Sequence, residues 1–190
     1  DRIASGDGND LVLVAGDARA VVRPRDGGRL GSVTVGGREL LVGGDPRDPI
    51  SWGSYPMVPF AGRIRDGRFT WGDRTVQLPI NLEPHAIHGT VLDRRCSVVR
   101  ATEASAVLER SLGGRWPWSG RVRQTVSLGE DHATFRVEVH ADDQPFPAAT
   151  GWHPWFRRRL ARGGSAEIGL NASAMLVRDG DGIPSGERAP

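Results

Sequence analysis

The sequence contains no lysine, so all 25 of its basic residues are arginine. This uniform choice indicates the codon usage of a GC-rich genome and says nothing about partners. The arginines are interspersed with 23 acidic residues and give a formal net charge of +2. Because the sequence has no basic patch or stripe, it lacks the electrostatic footprint of a nucleic-acid-binding protein, and we expect no nucleic-acid partner.

Cysteine is almost as scarce, since Cys96 is the only one. A single cysteine excludes an internal disulfide and a zinc site built from several thiolates. This usage favours a reducing compartment, so we expect a cytoplasmic protein. The sequence also lacks an apolar run of the roughly 18 residues that a membrane-spanning helix needs, and we expect no membrane association.

Short β-rich runs separated by glycine-containing turns recur along the chain, which predicts an all-β protein. We expect hairpins around Gly16, around Gly72 and within residues 121–141, where apolar and polar residues alternate with a period of two. A chain of 190 residues suits one domain, so we assign residues 1–190 to a single domain. We interpret residues 43–62 as an irregular connection. Residues 179–190 are polar with glycine, proline and serine, a composition typical of a disordered tail.

Three segments rich in glycine, proline and aromatics each carry one titratable or cationic side chain. They are residues 59–69 with Arg63, residues 81–90 with His88, and residues 151–156 with His153. Histidine can donate or accept a proton near neutral pH, which makes it a favoured general acid. Each of these side chains also has an ordinary reading, as a surface ion-pair member or a hydrogen-bonded core residue.

Two further sets of residues leave alternatives open. Imidazoles are common zinc ligands, so His85, His88 and His153 are a candidate metal site, but no supporting carboxylate can be chosen from spacing and we expect no metal. Trp152 is a candidate for stacking on a sugar ring, as are Trp52 and Trp155. The alternative for each is core filling, the usual role of large aromatics.

Taken in order, the segments resemble the aldose 1-epimerase (galactose mutarotase-like) family. Residues 59–69 resemble its Pro-x-x-x-Arg-Ile-x-x-Gly-x-Phe signature, and residues 151–156 resemble its Gly-x-His-Pro-Tyr-Phe. Asn81 followed by residues 87–89 resembles its asparagine and Leu-His-Gly. The resemblance implies a galactose mutarotase-like antiparallel β-sandwich (a supersandwich) whose C-terminal third is not represented in residues 1–190.

The resemblance also implies a function and a set of roles. The function is interconversion of the α and β anomers of a hexose by acid/base ring opening, with a small-molecule sugar as partner and no cofactor. His153 would be the general acid, His88 would bond near the ring oxygen, and Arg63 would bind sugar hydroxyls, with Asn81 and Trp152 as further substrate-binding candidates. The general base, a glutamate in the family, would lie beyond this chain.

Two other functions stay open at the level of the sequence. The abundance of arginine, with Arg65 and Arg94 as candidates, suits a hexose-6-phosphate 1-epimerase, because the planar guanidinium binds phosphate well. A non-catalytic carbohydrate-binding module would keep the sugar cleft without the base.

Overall fold

The structure is a computed structural model that describes residues 9–190. Almost all of its regular elements are β-strands. The strands of the larger sheet are β1 (Leu11–Ala15), β2 (Ala18–Arg23), β3 (Arg29–Val35), β4 (Arg38–Glu39), β5 (Ser54–Met57) and β14 (Gly151–Pro154). Those of the second sheet are β10 (Ser97–Ala101), β11 (Ser105–Ser111), β12 (Gly120–Leu128) and β13 (Ala133–Ala141).

The remaining strands form two-stranded pairs. These are β6 (Arg63–Ile64) with β9 (Ala86–Ile87), β7 (Arg68–Trp71) with β8 (Arg74–Gln77), and β15 (Met175–Arg178) with β16 (Pro184–Ala189). Two single 3-10 turns, Pro24–Asp26 and Arg65–Gly67, complete the elements. Among residues 9–190, no helix is long and apolar enough to cross a bilayer.

The two main sheets pack on a shared apolar core. Leu13 and Leu30 from the larger sheet and Leu108 and Val126 from the second sheet belong to one buried cluster. Neighbouring strands within each sheet pair antiparallel, with the order β1-β2-β3-β5-β14 in one and β10-β11-β12-β13 in the other. The expected all-β antiparallel sandwich is therefore confirmed.

The predicted hairpins are present. β1 pairs with β2 across a turn at Gly16, whose φ of 58° lies in the left-handed region that glycine adopts without strain. β7 pairs with β8 around Gly72, and β12 pairs with β13 over their full lengths. Along β12, buried residues alternate with exposed or half-buried ones, as the period of two requires.

The interpretation of residues 43–62 as an irregular connection is wrong, because this stretch contains β5. Ser54, Tyr55, Pro56 and Met57 are all buried, and the strand lies between β3 and β14. A strand covered on both faces shows no polar and apolar alternation, and Pro56 argues against a central strand. Both features hid β5 from the sequence pattern.

The composition of residues 179–190 is typical of a disordered tail, but the structure shows a strand there. Residues 184–189 form β16, which pairs antiparallel with β15. Most of β16 is exposed, so its polar composition reflects solvent contact rather than a lack of structure. The hairpin turn contacts the 3-10 turn after β6 through Arg65, whose guanidinium pairs with both Asp179 and Asp181.

Candidate active site

Arg63, His88 and His153 come together from three separate parts of the chain. Arg63 on β6 lies opposite Ile87 on β9, the residue before His88. His153 lies on β14 opposite Tyr55 of β5. The two imidazole rings approach with their centroids 4.9 Å apart and their planes inclined at 65°. The structure thus assembles the three side chains that the sequence singled out.

The backbone around His88 holds this residue in an unusual conformation. His88 has a φ of 57°, a left-handed value that histidine adopts more readily than most non-glycine residues. Its backbone N–H donates to the carbonyl of Gly62 at 2.9 Å, and the backbone N–H of Gly62 donates to Nδ1 of His88 at 3.3 Å. This reciprocal pair orients the ring and makes Nδ1 an acceptor.

The His88 imidazole is held in its neutral form. Its pKa is lowered to about 4, chiefly by burial and to a lesser extent by the nearby His153 and the positive charge of Arg63. Because Nδ1 accepts a hydrogen bond, the neutral ring carries its proton on Nε2. His88 therefore presents an N–H donor to a ligand at neutral pH.

His153 stacks against two aromatic rings. The Tyr55 ring is 5.0 Å from it between centroids and nearly parallel at 7°, and the Trp155 ring is 5.5 Å away at 27°. Nδ1 of His153 is buried and has no hydrogen-bond partner among residues 9–190, so Nε2 is the nitrogen that can reach a ligand. Burial lowers the pKa of His153 below its ordinary value.

Three candidate arginines differ in their hydrogen-bond and ion-pair partners. Arg63 is half-buried, and its Nη1 donates a long hydrogen bond of 3.5 Å to the carbonyl of Gly182. Arg65 is occupied by Asp179 and Asp181, and Arg94 donates to the carbonyl of Gly113 at 2.8 Å. Neither of the two arginines suggested for phosphate binding is thus directed to the histidine pair.

Asn81 acts on the backbone next to the site. Its side-chain amide donates to the carbonyl of Ile87 at 2.9 Å, and its side-chain oxygen accepts the N–H of Ile87 at 2.7 Å. These two bonds use the amide in fixing the residue that precedes His88. Asn81 therefore fixes the peptide unit next to His88, and its contact with substrate stays a prediction.

We expect Asn81→Ala to lower the free energy of unfolding by about 1 to 2 kcal/mol, because two hydrogen bonds to one peptide unit are lost. Asn81→Asp is the companion variant, since it keeps an acceptor for the N–H of Ile87 but replaces the donor with a charged oxygen that faces the Ile87 carbonyl. Urea unfolding of both variants measures the difference. Equal stability of Asn81→Ala and the wild type would contradict this role.

Trp152 lies on the opposite face of β14 from His153. Its Nε1 donates to Oγ of Ser54 at 2.5 Å, and its ring stacks on Phe135 with centroids 4.5 Å apart. It lines an apolar cavity of about 540 Å³ between the two sheets, together with Leu30 and Phe156. The structure does not bring Trp152 to the histidine pair, and the strand period of two could have indicated this.

The other aromatic and histidine candidates lie in different surroundings. Trp52 is only 2% exposed and fills the core, whereas Trp155 stacks on His153. His85 is buried, and its Nδ1 accepts the backbone N–H of Asp66 at 3.1 Å. Within residues 9–190, no group of three or more His, Cys, Asp or Glu side chains is arranged to hold a metal ion.

The order of these elements can be compared with known proteins. The family model described as aldose 1-epimerase matches residues 10–190. The chain belongs to the aldose 1-epimerase family. The resemblance carried by the three loop segments is confirmed, and the galactose mutarotase-like fold with it.

Individual members of this family match parts of the chain. It is 32% identical over 107 residues to the uncharacterized protein YphB of Escherichia coli (strain K12), covering 54% of this chain and 36% of that protein. It is 30% identical over 139 residues to the galactose mutarotase of Mus musculus, covering 68% of this chain and 40% of that protein. The matches therefore span well under half of either relative.

Two solved structures share the fold at low identity. A galactose mutarotase-like protein from Clostridium acetobutylicum has a TM-score of 0.80 at 19% identity, covering 98% of this chain and 63% of that chain. An aldose epimerase homologue from C. elegans has a TM-score of 0.79 at 18% identity, covering 95% of this chain and 60% of that chain. The chain spans less than two thirds of both relatives.

Proposed function

We propose that the protein is an aldose 1-epimerase that interconverts the α and β anomers of a hexose. The observation that carries this proposal is the convergence of Arg63, His88 and His153, with the two imidazoles 4.9 Å apart. Membership of the aldose 1-epimerase family supports the same reaction class. The galactose mutarotase of Mus musculus is a relative whose name describes this chemistry.

Anomer exchange needs one proton removed and one delivered. A base takes the proton from the O1 hydroxyl while an acid protonates the ring oxygen, and the C1–ring oxygen bond breaks to give an open aldehyde. Rotation about the C1–C2 bond and reclosure with the reverse transfers give the other anomer, so protons and electrons balance. Each positioned proton transfer contributes about 10² to 10⁴ in rate.

In this proposal His153 is the general acid and acts through Nε2, because its Nδ1 is buried. His88, neutral with its proton on Nε2, donates a hydrogen bond near the ring oxygen. Arg63 binds hydroxyls and fixes the orientation of the sugar. Asn81 acts through the backbone of Ile87, and Trp152 takes no part because it faces the other side of β14.

We further propose that the base is a glutamate from a part of the protein outside residues 1–190. Because burial lowers the pKa of His153, its protonated form needs a nearby negative charge to persist at neutral pH. A carboxylate across the sugar would supply that charge and also accept the O1 proton. This pairing matches the requirement for an acid and a base on opposite sides of the ring.

Polarimetry of freshly dissolved α-D-glucose and α-D-galactose with the full-length protein tests the function. We expect the protein to accelerate the decay of optical rotation well above the spontaneous rate. Acceleration confined to hexose 6-phosphates would replace the proposal with a hexose-6-phosphate 1-epimerase. Sugar binding without any acceleration would replace it with a non-catalytic carbohydrate-binding module.

A further inference from the structure

The two rings that stack on His153 share one hydrogen-bond acceptor. The hydroxyl of Tyr55 donates to the carbonyl of Ile50 at 2.8 Å, and Nε1 of Trp155 donates to the same carbonyl at 2.7 Å. Tyr55 comes from β5, whereas Trp155 follows β14, so this carbonyl joins rings from two different segments of the chain. A shift of the Ile50 carbonyl would therefore move both rings that contact the imidazole.

The backbone around Ile50 is held by a buried arginine. Arg29 on β3 is fully buried, and its Nη2 donates to the carbonyl of Pro49 at 2.7 Å while its Nη1 donates to that of Trp52 at 3.1 Å. These two acceptors bracket Ile50 in the sequence. The guanidinium also lies over the Tyr55 ring, 5.0 Å from its centroid, so it contacts one of the two rings that stack on His153 directly.

Burying a guanidinium costs free energy, and the hydrogen bonds of Arg29 show which backbone segments it stabilises. Burial lowers its pKa to about 10, so it stays charged at neutral pH. Two further hydrogen bonds go to the carbonyls of Asp26 and Leu92, so all four of these bonds end on main chain rather than on a carboxylate. Residues 43–48 are exposed and bury no side chain of their own. Arg29 therefore anchors the backbone on both sides of Ile50, whose own side chain packs beside Tyr55 and Trp155.

We propose that Arg29 is a positioning residue for His153, acting through the Ile50 carbonyl and the rings of Tyr55 and Trp155. Its consequence for catalysis rests on the proposed anomer exchange, whereas the orientation of the imidazole does not. Arg29 contacts neither the sugar nor the reacting atoms. It holds the backbone that carries the acceptor of both rings, and through these rings it influences the direction of Nε2 of His153.

Two variants test this proposal in the full-length protein. Tyr55→Phe removes only the hydroxyl that reaches Ile50, and Arg29→Lys keeps the charge but loses the planar fork that bridges two carbonyls. Arg74→Lys is the matched control, because Arg74 lies over the Trp118 ring, 5.5 Å from its centroid, in a different cluster. Long-range ¹H–¹⁵N spectra of the His153 imidazole report its tautomer and ring exchange without any assay of activity.

We expect one sharp set of His153 imidazole signals in the wild type and in Arg74→Lys. Tyr55→Phe and Arg29→Lys are expected to broaden or shift these signals and to lower kcat about 10-fold or more, with KM little changed because Arg63 is untouched. His153 signals identical to those of the wild type in both variants would overturn the proposal. If Arg29→Lys does not fold, Tyr55→Phe still tests the link through the Ile50 carbonyl, and unchanged His153 signals in that variant would overturn the proposal.

The two proposals can fail separately. A wild-type protein that accelerates no sugar would reject the anomer exchange, while the imidazole spectra would still report whether Arg29 and Tyr55 position His153. An active wild type with unchanged spectra in both variants would reject the positioning role alone.

Discussion

Replacing His153 with alanine is expected to lower kcat for anomer exchange by roughly 10³-fold, within the range that a positioned general acid contributes. His153 is the imidazole whose Nδ1 is buried, so Nε2 is left to deliver the proton to the ring oxygen. The neighbouring His88 is not expected to replace it, because burial, His153 and Arg63 together lower the pKa of His88 to about 4 and its protonated form is scarce at neutral pH. Polarimetry at saturating sugar measures the loss.

The matched control for this variant is His132→Ala. His132 is exposed in the turn between β12 and β13, and its Nδ1 pairs with Asp131 rather than with any residue of the site. We expect this variant to keep wild-type kcat. The assignment of His153 as the general acid would have to be abandoned if His153→Ala kept more than a tenth of the wild-type rate while remaining folded.

The parts of the fold that sequence reasoning predicted are those where one face of a strand meets water. Along β12 the alternation of buried and solvent-facing residues is regular, and glycine marks the turns at residues 16 and 72. The same reasoning failed at β5, because a strand buried on both faces has no alternation to detect. It failed again at β16, where a polar strand pairs with a single exposed neighbour.

The residues of the site also fall into those that the sequence indicated and those that it did not. Arg63, His88 and His153 were predicted because each lies in a glycine- and proline-rich segment with a recognisable order of residues. Tyr55 and Ile50 were missed because their importance comes from tertiary contacts: Tyr55 faces His153 across a strand pair, and Ile50 contributes only a backbone carbonyl. A main-chain oxygen carries no sequence signal, so only the structure shows it as the shared acceptor.

The close contact between Gly89 and the backbone of Val58, the residue after β5, predicts a second large effect, this time on stability. A Cβ at Gly89 would lie 1.9 Å from the carbonyl oxygen of Val58 and 2.6 Å from its nitrogen, in backbone that cannot rotate aside. That carbonyl accepts the N–H of Thr90 at 2.8 Å, so the contact joins the His88 loop to the sheet. We expect Gly89→Ala to lower the free energy of unfolding by about 3 kcal/mol or more, because it combines left-handed backbone strain with overpacking.

Gly114→Ala separates the two causes of this loss. Gly114 has a φ of 90°, close to the 86° of Gly89, but nothing lies within 4 Å of a Cβ placed there. Gly114→Ala should therefore lower the free energy of unfolding only by the cost of backbone strain, about 1 to 2 kcal/mol. Urea unfolding measures both variants, and equal losses would show that the contact with Val58 contributes nothing. Because His88 precedes Gly89 directly, a folded Gly89→Ala protein should also displace the His88 imidazole, whereas Gly114→Ala should leave it in place.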